Sequence, residues 1–126
     1  MLIEGLSKIP GLRVPVPADH VGHAWYKFYA YVQPEQLKAD WNRDRIMQAV
    51  AEQGIPCMQG ACPEVYLEKA FAGTGMRPAR RLPAARKLGE TSLMFLVHPT
   101  LGRNEMAETV RAMAEVMEEA YESKIF

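Results

Sequence analysis

Ser92 to Val97 reads SLMFLV, one serine followed by five apolar side chains without a break. A strand with one wet face alternates polar and apolar residues, so an unbroken run belongs to a central strand buried on both faces. His98-Pro99 closes it. Whatever this chain folds into must place strands beside that run and bury them together. With 126 residues, 48% of them hydrophobic, there is material for one domain, residues 1–126, around a single apolar core.

The clearest partner is Ala24 to Val32, AWYKFYAYV, rich in aromatic and β-branched residues. Period two puts Trp25, Lys27, Tyr29 and Tyr31 on one face, with Tyr26, Phe28, Ala30 and Val32 on the other. Phe28 and Val32 suit the core, and Pro34 ends the strand. Ile55 to Met58 reads as a further short strand. Between them, Asn42 can cap a helix that runs to Gln53, with Asp44 in its first turn and Gly54 suited to the position just past its end. Ile46, Met47, Val50 and Ala51 form its buried stripe. Glu64 to Phe71 reads as another helix, anchored by Val65, Leu67, Ala70 and Phe71. Pro83 opens a short helix from Ala84 to about Leu88. The longest runs from about Arg103 to Tyr121, with Met106, Val110, Met113, Met117, Ala120 and Tyr121 at helical spacing and mostly glutamates on the wet side.

At the N-terminus Leu2, Ile3, Leu6 and Ile9 have helical spacing up to Pro10-Gly11. So short a helix is marginal in water. It is either a packed turn or the end of a longer helix. Arg13 to Pro17, with two prolines, reads as an extended connector. The expected order is β-α-β-α-α-β-α. That is an α+β fold, with a small, mainly antiparallel three-stranded sheet and helices packed on one face.

Charge and composition exclude several classes of function. Fifteen basic residues balance fifteen acidic ones, so no net field favours nucleic acid or an anionic membrane. No apolar run approaches a membrane span, and MLIEGLSKIPGL lacks the layout of a signal peptide. Cys57 and Cys62 match neither a zinc spacing nor a disulfide framework, which points to reduced thiols in a cytoplasm, packed as small buried residues.

The stretch most suited to hold polar groups beside a pocket is Ile55 to Phe71, IPCMQGACPEVYLEKAF, where a strand breaks through Gly60 and Pro63 into a helical pattern. No self-sufficient catalytic motif accompanies it. GTGMRPARR lacks both the Lys-Ser/Thr of a phosphate loop and a preceding strand. Arg77, Arg80 and Arg81 offer a receptor for a phosphate or carboxylate, although a solvated loop is the plainer reading. His20, His23 and His98 read as surface or capping residues rather than metal ligands.

Four segments in register carry a resemblance: HAWYKFYAYV at 23–32, NRDRIMQAVAEQGIPC at 42–57, GACPEVYLEKAF at 60–71 and LGETSLMFLVHPTL at 88–101. Together they resemble the C-terminal small domain of the DegT/DnrJ/StrS-type sugar aminotransferases. These are pyridoxal-phosphate enzymes of the aspartate-aminotransferase fold type. SKIPGL at 7–12 matches the end of the helix that joins the two domains, so residues 1–12 are expected to be that helix end. The family transfers an amino group, usually from glutamate, to a keto group on a nucleotide-linked sugar destined for surface polysaccharides or antibiotics.

The resemblance implies a partner as much as an activity. The family's large domain carries the lysine that holds the cofactor, the acid that faces its pyridine nitrogen and the phosphate-binding residues. None of the six lysines here, Lys8, Lys27, Lys38, Lys69, Lys87 and Lys124, maps to the cofactor lysine. The chain alone is therefore expected to be inactive and to bind no pyridoxal phosphate. It would contribute substrate contacts and dimer surface to a complete, cytoplasmic, homo-oligomeric enzyme. The groups implied to face the sugar nucleotide are Tyr26, Lys27, Gln59, Gly60, Glu64 and Tyr66. The plainer alternative has Glu64 capping its own helix and Tyr66 packing. At the level of the whole chain, the alternative is a free-standing, non-catalytic α+β binding or oligomerisation module derived from such an enzyme.

Overall fold

A computed structural model describes residues 1–123. In chain order the regular elements are α1 (Leu2–Leu6), β1 (Leu12–Arg13), β2 (Lys27–Val32), α2 (Arg43–Glu52), β3 (Cys57–Met58), α3 (Pro83–Thr91), β4 (Ser92–Leu96) and α4 (Arg103–Ala120). The four strands form one sheet in the order β1-β2-β4-β3, antiparallel at every neighbour. The class is α+β, as the periodicity implied, with four strands in place of three. The extra one is β1, hidden inside the N-terminal stretch and its connector. Only two residues long, it exists because Leu12 and Arg13 pair with Val32 and Tyr31.

The unbroken apolar run is the central strand β4. Its inward residues Leu93 and Phe95 stand opposite Ala30 and Phe28, and all four are buried. Met94, on the other face beside Tyr29 and Met58, is buried too. Burial on both faces thus holds from Ser92 to Phe95 and ends at Leu96, which is 44% exposed.

Against the inner face lie α1, α2 and α4. Leu6, Ile46, Val50, Met113 and Met117 are fully buried there with Leu93 and Phe95. Truncating any of these leucines, isoleucines or methionines to alanine costs about 2–5 kcal/mol in cores of this kind. α2 begins where expected: the Asn42 side chain accepts from the Arg45 N–H at 2.9 Å, and Gly54 sits just past the end at φ +81°. Its buried stripe is Ile46 and Val50 with Met47 and Ala49 at the edge; Ala51, expected inside, faces out. α4 starts at Gly102, whose N–H donates to Glu105 Oε2 at 2.7 Å. α3 runs a full nine residues, longer than the sequence suggested, and lies alongside the Tyr31 end of β2 rather than over the core.

Two of the expected elements differ in form. The helix from Glu64 to Phe71 is instead two short 3₁₀ turns, Val65–Leu67 and Lys69–Phe71. Its intended anchors have nothing to pack against: Val65 is 55% and Leu67 44% exposed. Helix stability in proteins comes mainly from packing an apolar face, and here there is none. Glu64 itself is non-helical, at φ −118° and ψ 59°, and its carboxylate is drawn away by the bond to Arg81. The first strand also begins later than Ala24. Trp25 adopts φ +50°, which breaks the alternation, so Trp25 stacks on Phe28 at 5.3 Å while Tyr26 is 83% exposed.

Candidate functional site

The sequence-implied residues fall along the outer face of β2 and the connection from Gln59 to Leu82. β-Alternation places Lys27, Tyr29 and Tyr31 on that outer face. Tyr29 and Tyr31 stack at 6.5 Å with an interplanar angle of 19°. With His23, Trp25 and the Pro15–Val21 loop, these side chains line a groove of about 370 Å³. Lys27 Nζ lies 5.5 Å from the Tyr26 ring, so these two implied contacts are neighbours at the exposed end of the strand.

Gly60 closes down on this face. Its backbone is left-handed, φ +95°, and a Cβ built there would lie 2.5 Å from Tyr29 Cε1. The next N–H, of Ala61, donates to the Tyr29 hydroxyl at 3.3 Å. Gln59 is fixed through its backbone instead: its carbonyl accepts from the Ser92 hydroxyl at 2.6 Å, leaving the side chain exposed. Glycine at 60 is thus required both by conformation and by the approach of the tyrosine.

Glu64 and Tyr66 form a second cluster with a residue 17 positions away. Both carboxylate oxygens of buried Glu64 accept from Arg81, Nε to Oε1 at 2.9 Å and the outer nitrogen to Oε2. The Tyr66 hydroxyl donates to the same Oε1 at 2.6 Å and accepts from the Leu82 N–H at 2.9 Å. The Arg81 bonds first, and that of Tyr66 second, hold the Glu64 carboxyl down at about 2. Burial and the bond to Glu64 push the Tyr66 phenol up, and the carboxylate pushes Arg81 up. All three directions agree with one stable charged pair. Glu64 therefore does not cap a local helix, and its acceptors are already engaged.

That pairing also revises the arginine cluster. The carboxylate that Arg81 receives is the chain's own, and Arg77 donates to the carbonyls of Leu67 and Glu68 at 2.9 and 3.0 Å. Both arginines fold the 64–82 connection upon itself. The thiols take no part. Burial raises Cys57 to about 12, far from a nucleophile at neutral pH, while Cys62 is exposed rather than packed, its thiol 3.3 Å from Glu68 and raised by that bond. His23 accepts from the Trp25 N–H, and His98 pairs with Thr100, both exposed at the surface.

Three residues escaped the sequence reading. Tyr29 was signalled by sharing a face with Lys27. Arg81 lay within the arginine cluster but without its partner. Arg43 had no local signal: with a side chain only 12% exposed, it reaches from α2 to the carbonyls of Gly89 and Ser92 at 3.1 and 3.0 Å. It ties the helix to the point where the connection re-enters the sheet.

Comparison with known proteins fits this geometry. The family described as DegT/DnrJ/EryC1/StrS aminotransferase matches residues 1–114. The chain is similar to the aminotransferase from Psychrobacter cryohalolentis, with 48% identity and a TM-score of 0.83, covering 92% of this chain but 30% of that one. DesV of S. venezuelae, solved with a ketimine intermediate, shares the fold at 24% identity and TM-score 0.76, over 93% of this chain and 29% of its own. The sugar aminotransferase CalS13 from Micromonospora echinospora does so at 15% identity and TM-score 0.72, over 90% and 27%. No curated protein matches the chain. The chain spans under a third of the length of these solved relatives.

A pyridoxal-phosphate site needs a lysine in an enclosed cavity, an acid facing the ring nitrogen and donors for the phosphate. Among the described residues Lys8 pairs with Glu4 on the surface, Lys38 donates to the Glu119 carbonyl, and Lys69 and Lys87 are exposed. Lys27 lies in an open groove of aromatic and aliphatic residues with no acid in its lining. The described residues do not build that site by themselves. Among them there is also no group of three His, Cys, Asp or Glu able to hold a metal, and no helix long and apolar enough to cross a membrane.

Proposed function

This chain belongs to the DegT/DnrJ/EryC1/StrS aminotransferase family, and we propose that it is the C-terminal small domain of a pyridoxal-phosphate-dependent nucleotide-sugar aminotransferase. It contributes substrate contacts and dimer surface, and the cofactor is held elsewhere. One observation carries the reading: the 48% identical aminotransferase covers nearly all of this chain while most of its own length lies outside the match. The cofactor would supply the electron sink for amino transfer from the remaining part of the enzyme. The part played here is to bind and orient.

Within that role the six implied residues divide by what their atoms are free to do. Tyr26, Lys27 and Gln59 present uncommitted polar groups, and Lys27 suits a phosphate of the nucleotide. Gly60 permits close approach. Glu64 and Tyr66 act as positioning residues, since their pairing with Arg81 fixes the connection that carries Gln59 and Gly60. Apolar side chains left in water on the same segments, among them Tyr26, Val65, Leu67 and Met76, fit a surface that another domain or protomer covers.

The test is assembly in trans. A large domain from the Psychrobacter relative, mixed with this chain, is expected to form a complex that shows a pyridoxal-phosphate absorbance band and transfers an amino group from glutamate to a keto-sugar nucleotide. A stable chain that neither associates with the large domain nor alters its spectrum would favour the free-standing module. Cofactor fixed by borohydride to this chain alone would contradict the division of labour.

A further inference from the structure

Arg13 and Tyr31 are partners across β1 and β2, and the Arg13 guanidinium lies 4.4 Å from the centre of the Tyr31 ring. Stacking holds the planar group in place while leaving its N–H edge available. Arg13 also lines a cavity of about 250 Å³, between the Tyr31 end of β2 and α3, that the site above does not use. Lys87 of α3 and the half-buried Gln33 also line it, and Glu35 stands on its wall.

The charged groups here are idle. Arg43, Arg45, Arg81, Arg86 and Arg111 all hold carboxylates or carbonyls. Arg13, Lys87 and Glu35 have no side-chain hydrogen bond or ion pair among the described residues. Two cations favour an anion, but a bare dianion would meet the Glu35 carboxylate. A ligand carrying both signs satisfies all three. Most of the remaining wall is apolar, from Tyr31, Val32, Pro34, Ala84 and Leu88, with Thr91 beside them, and the volume suits a molecule of a few carbons.

We propose that this cavity binds a small aliphatic zwitterion of the α-amino-acid class. Its carboxylate sits between Arg13 and Lys87, its ammonium faces Glu35, and its side chain lies against Pro34 and Leu88. Such a ligand clamps α3 to the edge of the sheet, and α3 leads directly into β4. The site therefore reports on, or stiffens, the connection that bears Gln59 and Gly60. Every group involved is on this chain.

The experiment is a titration of the whole chain followed by amide NMR, with three probes: leucine, 4-methylpentanoate, which lacks the ammonium, and 3-methylbutylamine, which lacks the carboxylate. Leucine is expected to give saturable shifts at Arg13, Gln33 and Lys87, and each analogue to bind about tenfold more weakly or worse, as loss of one charged hydrogen bond implies. Arg13→Gln should weaken leucine by about tenfold in a chain whose amide spectrum shows it still folded. Glu35→Gln, which faces water and leaves the sheet intact, should erase the preference for leucine over 4-methylpentanoate. Absence of saturable shifts, or equal binding of leucine and 4-methylpentanoate by the unaltered chain, would overturn the proposal.

Discussion

Gly60 and Glu64 fix the same connection by different physics. At Gly60, alanine would require a left-handed backbone, costing about 1 kcal/mol or more. It would also drive a methyl into the Tyr29 ring, which packs at both its edge and its hydroxyl. Gly60→Ala should lower unfolding free energy by about 1–3 kcal/mol in urea titration. Combining it with Tyr29→Ala should restore only the steric part. At Glu64 the carboxyl is held at about 2, below its ordinary 4.5. A depressed carboxyl stabilises the fold above its unfolded pKa, and that contribution disappears as pH falls through the folded value. The melting temperature should therefore drop between about pH 4.5 and 2 in a step that Glu64→Gln removes. A step of equal size in the variant would assign the acid sensitivity to other groups. Neither feature lay open in the sequence. Glycine in a turn is common, and the ring it touches is 31 positions away; Arg81 is 17 positions from Glu64, and the cluster it belongs to reads most plainly as a solvated loop.

At the scale of elements, packing decides against propensity in both directions. α1 has five residues and no side-chain cap, yet Leu2 and Leu6 are buried against α4. Gly5 lies at that contact, where a Cβ would come within 2.6 Å of a Val110 methyl. Helix propensity alone favours alanine over glycine by about 1 kcal/mol, but the clash is the larger effect. Gly5→Ala should destabilise, and Val110→Ala added to it should recover stability; a stabilising single substitution would show that α1 is not seated as described. Asn42→Ala should cost about 1 kcal/mol, read by chemical denaturation, because it removes the acceptor for the Arg45 N–H. The capped helix α2, the long α4 and the buried strand β4 were legible because periodicity and burial agree in them. The 64–71 segment has helical spacing without a surface to pack on, and spacing cannot reveal that lack. β1 depends wholly on its partner β2, so two residues between Pro10-Gly11 and Val14-Pro15 gave no local sign of a strand.

The whole molecule is a sheet with a well-filled inner face and an outer face only partly covered. The inner face, with α1, α2 and α4, explains why the chain can hold together as a unit. The outer face carries Lys27, Tyr29, Gly60 and the folded connection, and the solved relatives extend well beyond the third of their length matched here. The residues brought together there hold the 59–82 connection against the sheet through Tyr29, Ser92 and the Glu64–Arg81 pair; on the proposed function, Lys27 and Gln59 would be left free to meet a ligand. The direct test is a chimera in which residues 1–123 of this chain replace the matched segment of the Psychrobacter aminotransferase. Cofactor content and amino transfer to that enzyme's own substrate are then compared with the parent. The account predicts a folded, cofactor-loaded chimera with amino transfer, and a fall in its apparent substrate affinity on Lys27→Ala without loss of cofactor. A folded chimera that retains the cofactor yet transfers no amino group, or one indifferent to Lys27, would contradict it.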